Sequence, residues 1–297
     1  MQTPFQKYVS HPVQGVVVHI LFFLVAFIPF DQASAIGGWI ARKIGPFLSV
    51  HKLALENLEK AFPQKTSDEI QQIALGVWDN VGRTLFEIPH VPKINIYDQP
   101  ERFELVNDHI IDQLRDDGVC GIFFSGHMAN WEFLSHAGAL RTPPLPLGMI
   151  YRAPDNPWVT SIFDKRCFEG CQLIPKGAKG AKMSLQMLKE GGHLAILVDQ
   201  KMNDGISVPF FGRDAMTAAA MAQFALKFKC PVVPLRIERV EKTKFRLTFY
   251  DPMEIKDTGN RQQDIATIMK DVNGYLEEWI SERPEQWLWL HRRWPRT

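Results

Sequence analysis

His127, Asn130 and Glu132 follow Gly126 at the end of an apolar run, Val119-Cys120-Gly121-Ile122-Phe123-Phe124-Ser125. An imidazole beside a carboxylate is the pair that general-base chemistry requires. The carboxylate fixes the ring tautomer and supports the imidazolium that forms when the ring takes a proton. On one continuous α-helix, at roughly 100° per residue, His127 and Glu132 would point about 140° apart and could not touch. They can meet if His127 sits on the turn before a helix and Glu132 in its first turns. The plainer reading is a buried strand end whose histidine caps a helix; Gly126, Asn130 and Glu132 around it weigh towards chemistry. Asn130, backbone amides near Gly126, or Arg152 are candidates to hold a developing oxyanion. There is no Gly-x-Ser-x-Gly elbow to supply a serine nucleophile, so a hydroxyl activated by His127 would attack directly.

The elements that must position these groups follow from the hydrophobic pattern. A short apolar run closed by small residues reads as a buried strand, and residues 131–140 read as the helix after it. Beyond Gly118 strands alternate with helices, the signature of an α/β sheet. Residues 147–151 form a second strand ending at Arg152, and residues 193–198 a third ending at Asp199. Three successive strands therefore finish in His127, Arg152 and Asp199, and in open α/β sheets the site lies outside the carboxyl ends of the strands. Arg152 would grip phosphate or an oxyanion, or else be a surface arginine before a proline turn. Asp199 is a candidate substrate-binding group. Paired with Asp204 it would also suit magnesium, but the spacing is not that of a calcium loop and no metal is expected. Lys176, Lys179 and Lys182 open a helix that Gly191-Gly192 ends; they could meet phosphates or form a solvated face.

Elsewhere, Thr66-Ser67-Asp68-Glu69 is a capping-box signature opening a helix that Pro89 ends. On it, Asn80 and Arg83 would line a cleft or face solvent. Residues 231–235 and 245–250 pair plausibly as antiparallel strands, and Ile265, Ile268, Met269, Val272, Leu276, Trp279 and Ile280 form a helical core stripe. The 34 basic and 33 acidic residues nearly cancel, so no global basic field exists for nucleic acid. Cys120 and Cys230 lie in apolar surroundings as packed thiols. Cys167 and Cys171 have no second pair, which argues against both zinc and a disulfide framework. Residues 15–30 are almost wholly apolar, about 16 residues against the roughly 20 that span a bilayer. The run is apolar on all faces, which favours membrane association over a buried helix; Arg42, Lys43 and Lys52 behind it favour a cytoplasmic main body.

The His127-x4-Glu132 spacing resembles the His-x4-Asp/Glu motif of the glycerolipid acyltransferase superfamily. Tyr151-Arg152-Ala153-Pro154-Asp155-Asn156-Pro157 resembles its Tyr-Arg-x-x-Asn-Pro-like block. Val198-Asp199-Gln200 opens a stretch like its acidic third block, and Pro231-Val232-Val233-Pro234-Leu235 is similar to its proline-containing fourth. Val208-Pro209-Phe210-Phe211-Gly212-Arg213, whose phenylalanines would line an acyl groove or fill the core, resembles a Val-Pro-x-Phe-Gly-like run. Pro284-Glu285-Gln286-Trp287-Leu288-Trp289-Leu290-His291-Arg292-Arg293 closely resembles the ending of one branch, the lipid A biosynthesis (lauroyl/myristoyl-type) acyltransferases. From the residues alone, these tryptophans would sit at a membrane interface or headgroup, or pack onto the sheet.

The resemblance covers nearly the whole chain. It implies an α/β fold with a mixed, mostly parallel sheet flanked by helices. Residues 1–45 would be an N-terminal membrane anchor region and residues 46–297 the acyltransferase domain. It further implies an O-acyltransferase of the bacterial inner membrane, its catalytic domain facing the cytoplasm. Acyl carrier protein would be the donor and a Kdo-linked lipid A precursor the acceptor, with no cofactor and no nucleic-acid partner. His127 and Glu132 would be catalytic, and Asn130, Arg152 and Asp199 substrate-binding. The rival readings are a lysophospholipid acyltransferase, a non-catalytic membrane lipid-binding protein, and a metal-dependent hydrolase using His127, Glu132 and Asp199.

Overall fold

Side chains alternate along the strand that ends before His127, and that alternation sets the layers of the molecule. The computed structural model describes residues 6–152, 154, 156–164 and 171–295. Its strands are β1 (Phe103–Val106), β2 (Gly121–Ser125), β3 (Leu147–Tyr151), β4 (Cys171–Pro175), β5 (His193–Leu197), β6 (Lys201–Phe210), β7 (Arg213–Thr217), β8 (Val232–Glu241) and β9 (Lys244–Phe249). The helices are α1 (His11–Val25), α2 (Phe30–Ile44), α3 (Ser49–Ala61), α4 (Ser67–Glu87), α5 (His109–Asp116), α6 (Leu134–Ala139), α7 (Pro157–Asp164), α8 (Ala178–Lys189), α9 (Ala220–Phe228) and α10 (Arg261–Glu282).

Every residue of β2 is buried. Ile122 and Phe124 enter one core with Leu276 and Trp279 of α10, while Phe123 enters the other with Leu147, Val233 and Phe249. A strand covered on both faces needs no polar side, which explains its continuous apolar run. The main sheet has the order β1-β9-β8-β2-β5-β3-β4. Strands β8, β2, β5, β3 and β4 are mutually parallel, and β9 returns antiparallel to β8 with β1 parallel to it. The expected mixed, mostly parallel α/β sheet is present, as is the β8–β9 pair.

The capping box is formed: Thr66 Oγ1 accepts from the Glu69 amide, and Glu69 accepts from the Thr66 amide at 2.7 Å. Two local features differ from expectation. The helix after His127 opens with a 3-10 turn, Trp131–Phe133, capped by the Asn130 side chain, and α6 is only six residues long. Residues 201–217 fold into a separate antiparallel hairpin, β6–β7, turning at Phe211 (φ 50°) and Gly212 (φ 66°). Two successive positive φ angles suit the tight turn of a twisted hairpin. Phe210 is fully buried between Trp287 and Trp294, so it is core rather than groove. The tail tryptophans Trp287, Trp289 and Trp294 are buried in the same cluster, which decides between their two readings in favour of packing.

Helix α1 leaves Val13, Val16, Val17, Ile20, Phe23 and Leu24 exposed. Tyr8–Val25 is 18 residues with a mean hydropathy of 1.6, long and apolar enough to cross a membrane. Helix α2, by contrast, packs along α4, with Gly37 and Gly82 face to face and Ser34 Oγ donating to Glu87 at 2.6 Å. The exposed apolar segment is thus α1, and α2 is joined to the body. Cys120 and Cys230 are buried free thiols, and Cys171 is half-buried. Cys167 lies outside the described residues, as do Ala153 and Asp155 of the Arg152 block.

The α2–α4 contact gives a direct test. A Cβ on Gly82 would lie 2.2 Å from the Gly37 carbonyl oxygen and 2.5 Å from the Ala41 Cβ, so the helices must separate. Gly82→Ala should lower stability by about 1–3 kcal/mol in urea unfolding. Gly274→Ala on α10, where a Cβ meets nothing within 4 Å, should leave stability unchanged or raise it by up to about 1 kcal/mol.

Candidate active site

Four neighbouring parallel strands, β2, β5, β3 and β4, deliver the site from their carboxyl ends. His127 follows β2, Asp199 and Gln200 follow β5, Arg152 follows β3 and Lys176 follows β4. His127 Nδ1 lies 2.6 Å from Asp199 Oδ1, and the His127 backbone N–H donates to Oδ2 at 2.7 Å. Trp287 Nε1 donates to Oδ2 at 2.7 Å as well. Asp199 is completely buried. Burial opposes its ionisation, but the charge and hydrogen bonds of His127, with His291 adding, outweigh that and hold its pKa below the ordinary carboxylate range. An ionised Asp199 makes Nδ1 the protonated nitrogen, so the lone pair of the neutral ring is on Nε2. Gln200 Nε2 lies 3.3 Å from that Nε2. The ring packs edge-on to Trp131, centroids 5.1 Å apart.

The carboxylate on the Nδ1 side of His127 is therefore Asp199, where Glu132 was expected. The 3-10 turn puts Glu132 in the pocket wall, where Oε1 accepts from Trp131 Nε1 at 3.1 Å. Asp199 was expected to bind substrate; in the fold both of its oxygens accept N–H donors from His127 and Trp287. Asn130, expected beside it as a substrate-binding residue, is turned into the protein interior. It is fully buried, its Nδ2 donates to Glu87 Oε2 at 2.8 Å, and its Oδ1 accepts from the Glu132 amide at 3.2 Å. Arg152 stays exposed on the pocket with His127 and Glu132.

The loop that carries His127 is clamped from three sides. Ala129 adopts φ 47°, a left-handed conformation unusual for a residue with a Cβ. Its carbonyl accepts from Asn80 Nδ2 at 3.1 Å and Thr84 Oγ1 at 2.9 Å, and its N–H donates to the Gln286 carbonyl at 2.9 Å. The Leu288 N–H donates to the His127 carbonyl at 3.1 Å. Beneath them Arg239 of β8 makes two hydrogen bonds to Glu87 of α4, at 2.7 and 3.0 Å, and a third to Asn80 Oδ1 at 3.1 Å. Asn80 is thus a buried strut rather than a cleft or surface residue.

The pocket has a polar mouth and an apolar depth. His127, Glu132, Arg152, Lys176 and Gln200 line the mouth; Phe123, Leu134, Leu147, Met149, Leu235 and Phe249 line the interior. Lys176 Nζ donates to Gln200 Oε1 at 2.7 Å. Withdrawal of water from its ammonium, then the charge of Arg152, push its pKa below the ordinary lysine value against the pull of Asp199. Lys179 and Lys182 are solvated, and neither lines the pocket. Such an arrangement can take a proton from a hydroxyl at the mouth beside an extended hydrocarbon chain. Gln200, Trp287 and the Glu87–Arg239 pair had no chemical signal in the sequence. Only Gln200, adjacent to Asp199 at a strand end, stood where one could be sought.

Residues 2–296 match the family model described as bacterial lipid A biosynthesis acyltransferase. A curated relative, a lipid A biosynthesis acyltransferase of Haemophilus influenzae, is 23% identical over 292 residues, covering 96% of this chain and 88% of that protein. A solved structure, the 1-acyl-sn-glycerophosphate (LPA) acyltransferase of Thermotoga maritima, aligns with a TM-score of 0.40 and 11% identity over 91% of this chain and 99% of that one.

The depressed pKa of Asp199 makes a stability prediction. A group whose folded pKa lies below its unfolded value of about 3.9 stabilises the fold above that value, and the contribution is lost as pH falls towards the folded pKa. Asp199→Asn should therefore destabilise the protein at pH 7. Its urea midpoint should also fall less steeply than that of the wild type from pH 5 to pH 3, since the variant has no carboxylate there to protonate.

Proposed function

The chain belongs to the bacterial lipid A biosynthesis acyltransferase family, and from that premise we propose that it moves a fatty acyl chain from acyl carrier protein to a hydroxyl of a Kdo-linked lipid A precursor, with His127 as general base. The protein is an acyltransferase; donor, acceptor and mechanism are the proposal. The observation that carries it is the completely buried, ionised Asp199 on His127 Nδ1, which fixes the ring with Nε2 as the basic nitrogen at the mouth of an apolar pocket.

On this reading the acceptor hydroxyl hydrogen-bonds to Nε2 with the acyl chain in the apolar interior. As the oxygen attacks the thioester carbonyl carbon, its proton passes to Nε2 and Asp199 supports the imidazolium. The tetrahedral intermediate expels the thiolate of the carrier, which takes the proton back from His127. The products are an ester and a thiol, with no acyl-enzyme formed. Arg152, a guanidinium at the mouth, suits the phosphate-bearing headgroup of the acceptor. Glu132 shares that wall with His127 and completes the polar mouth. The exposed apolar face of α1 supports attachment to the inner membrane, and Arg42, Lys43 and Lys52 after it support a catalytic body on the cytoplasmic side.

The test uses detergent-purified protein with lauroyl- or myristoyl-acyl carrier protein and a Kdo2-lipid IVA-type acceptor, read by mass spectrometry. The wild type should add one acyl chain, with or without chelator. His127→Ala should lose ~10²–10⁴-fold in turnover, the usual weight of general-base assistance, with its fold retained by circular dichroism. Asp199→Asn should lose a comparable factor through the wrong ring tautomer. Transfer to a lysophospholipid alone would keep the mechanism and change the acceptor. Transfer to neither, across several donors, would leave a lipid-binding protein.

A further inference from the structure

Of the oxyanion donors that the sequence suggested, Arg152 lines the pocket mouth, where the acceptor headgroup is assigned to it, and the others are already engaged. Asn130 is buried on Glu87 and Glu132. Of the amides near Gly126, that of His127 donates to Asp199, that of Met128 to the Gly126 carbonyl and that of Ala129 to the Gln286 carbonyl. Yet direct attack on a thioester places a negative charge on the carbonyl oxygen, and that charge is what a preorganised donor must meet.

Gln200 is an uncharged donor at the pocket mouth, 3.3 Å from His127 Nε2, that the proton transfer does not use. Lys176 carries only donors, so its bond to Gln200 requires the amide oxygen Oε1 on the lysine side. The amide nitrogen must then face His127, where it lies 3.3 Å from Nε2 and donates to its lone pair. Gln200 therefore caps the atom that must accept the hydroxyl proton. An arriving hydroxyl takes over that lone pair and frees the Gln200 N–H. An oxygen whose hydroxyl donates to Nε2 comes within little more than a bond length of the carbonyl carbon as it attacks, so the displaced amide remains within about one hydrogen bond, roughly 3 Å, of the developing oxyanion.

We infer that Gln200 is a catalytic residue that releases His127 on acceptor binding and donates its amide to the tetrahedral oxyanion, with Lys176 as the positioning residue that fixes the amide. This rests on His127 acting as general base, as proposed above. The hydroxyl proton moves to Nε2, the C–O bond forms and the C–S bond breaks as before. Gln200 exchanges one acceptor, the imidazole lone pair, for another, the oxyanion, and no proton leaves it. The cations Arg152 and Lys176 at the same mouth favour that charge and the Glu132 carboxylate works against it, while Asp199 and His291 lie behind the ring.

The experiment is steady-state kinetics of full-length Gln200→Ala, Gln200→Met, Lys176→Met, Lys176→Arg and the Gln200→Ala/Lys176→Met double variant. They are run beside His127→Ala, with thermal melts as the fold control. Loss of an oxyanion donor should lower kcat ~10²–10³-fold in both Gln200 variants, with KM for donor and acceptor within about threefold, since the bond forms only in the transition state. Lys176→Met should lose part of that factor and Lys176→Arg recover it. The double variant should be no slower than Gln200→Ala, because Lys176 acts through Gln200. Gln200 variants that turn over within threefold of wild type, or that change KM alone, overturn the inference while an inactive His127→Ala keeps the general base. An active His127→Ala removes the premise instead.

Discussion

A carboxylate with no exposure to solvent has to be matched by donors, and Asp199 organises the molecule through that requirement. An unmatched buried charge costs several kcal/mol even after relaxation. The donors come from two distant parts of the chain: the backbone and ring of His127, 72 residues before it, and the indole of Trp287, 88 residues after it. The carboxyl-terminal segment must therefore lie against the ends of β2 and β5. Trp289 and Trp294 bury beside Trp287 and Phe210, tying the β6–β7 hairpin into the same structure. The bonds that make Asp199 tolerable are also those that set the histidine tautomer.

A buried charge pair, Glu87 and Arg239, holds the loop between β2 and α6 in a conformation it would not choose alone. A non-glycine residue in the left-handed region costs about 1–2 kcal/mol, and Ala129 is held there by three hydrogen bonds from α4 and the tail. Glu87 and Arg239 fix the spacing between α4 and β8 that those bonds require. Ser34 and Asn130 take up the remaining capacity of Glu87, so α2, α4, β8 and the His127 loop share one polar core. Such a core is well suited to specify a single geometry, because leaving out any one partner strands a buried donor or acceptor.

The sequence made some of this legible and hid the rest for physical reasons. Strand ends could be read because β2, β3 and β5 are short apolar runs closed by polar residues, and the rule for parallel sheets then placed His127, Arg152 and Asp199 on one edge. The identity of the histidine's partner could not be read. Local spacing favoured Glu132, whereas the strand order β2-β5 puts Asp199 beside His127, and strand order is a long-range property. The 3-10 turn after Asn130 escaped notice for a similar reason, since its cap serves a network contributed by α4 and β8. Arg152 came from a strand end that the alternation of elements exposes, whereas Lys176 reads as a helix start, and only the folded sheet, with β4 before it, makes it a neighbour of Gln200. Aromatic residues such as Phe210 and Trp287 carried two equal readings, because burial and membrane contact select the same side chains.

The apolar helix touches the chain just beyond Arg152. Gly15 of α1 lies against Trp158 of α7, where a Cβ would come within 2.4 Å of the tryptophan, and Asn156 Nδ2 donates to the His11 carbonyl at 2.9 Å. Both contacts fall within a few residues of Arg152, on the segment that leaves β3 at the pocket mouth. Helix α1 is therefore braced on Asn156 and Trp158, which follow Arg152 in the chain, apart from the buried networks around Asp199 and Glu87. If α1 lies in or across a bilayer, its orientation sets the height of Arg152 above the hydrocarbon boundary, while His127 stays fixed to the sheet. A long-chain donor and a membrane-borne acceptor would then meet at one mouth without either leaving its own environment. The acyl chain would enter the apolar interior between α6 and the sheet, and the headgroup would remain with the cations at the rim. The buried charges thus hold the end of the pocket that carries His127, and the contacts of α1 fall beyond Arg152 at its rim.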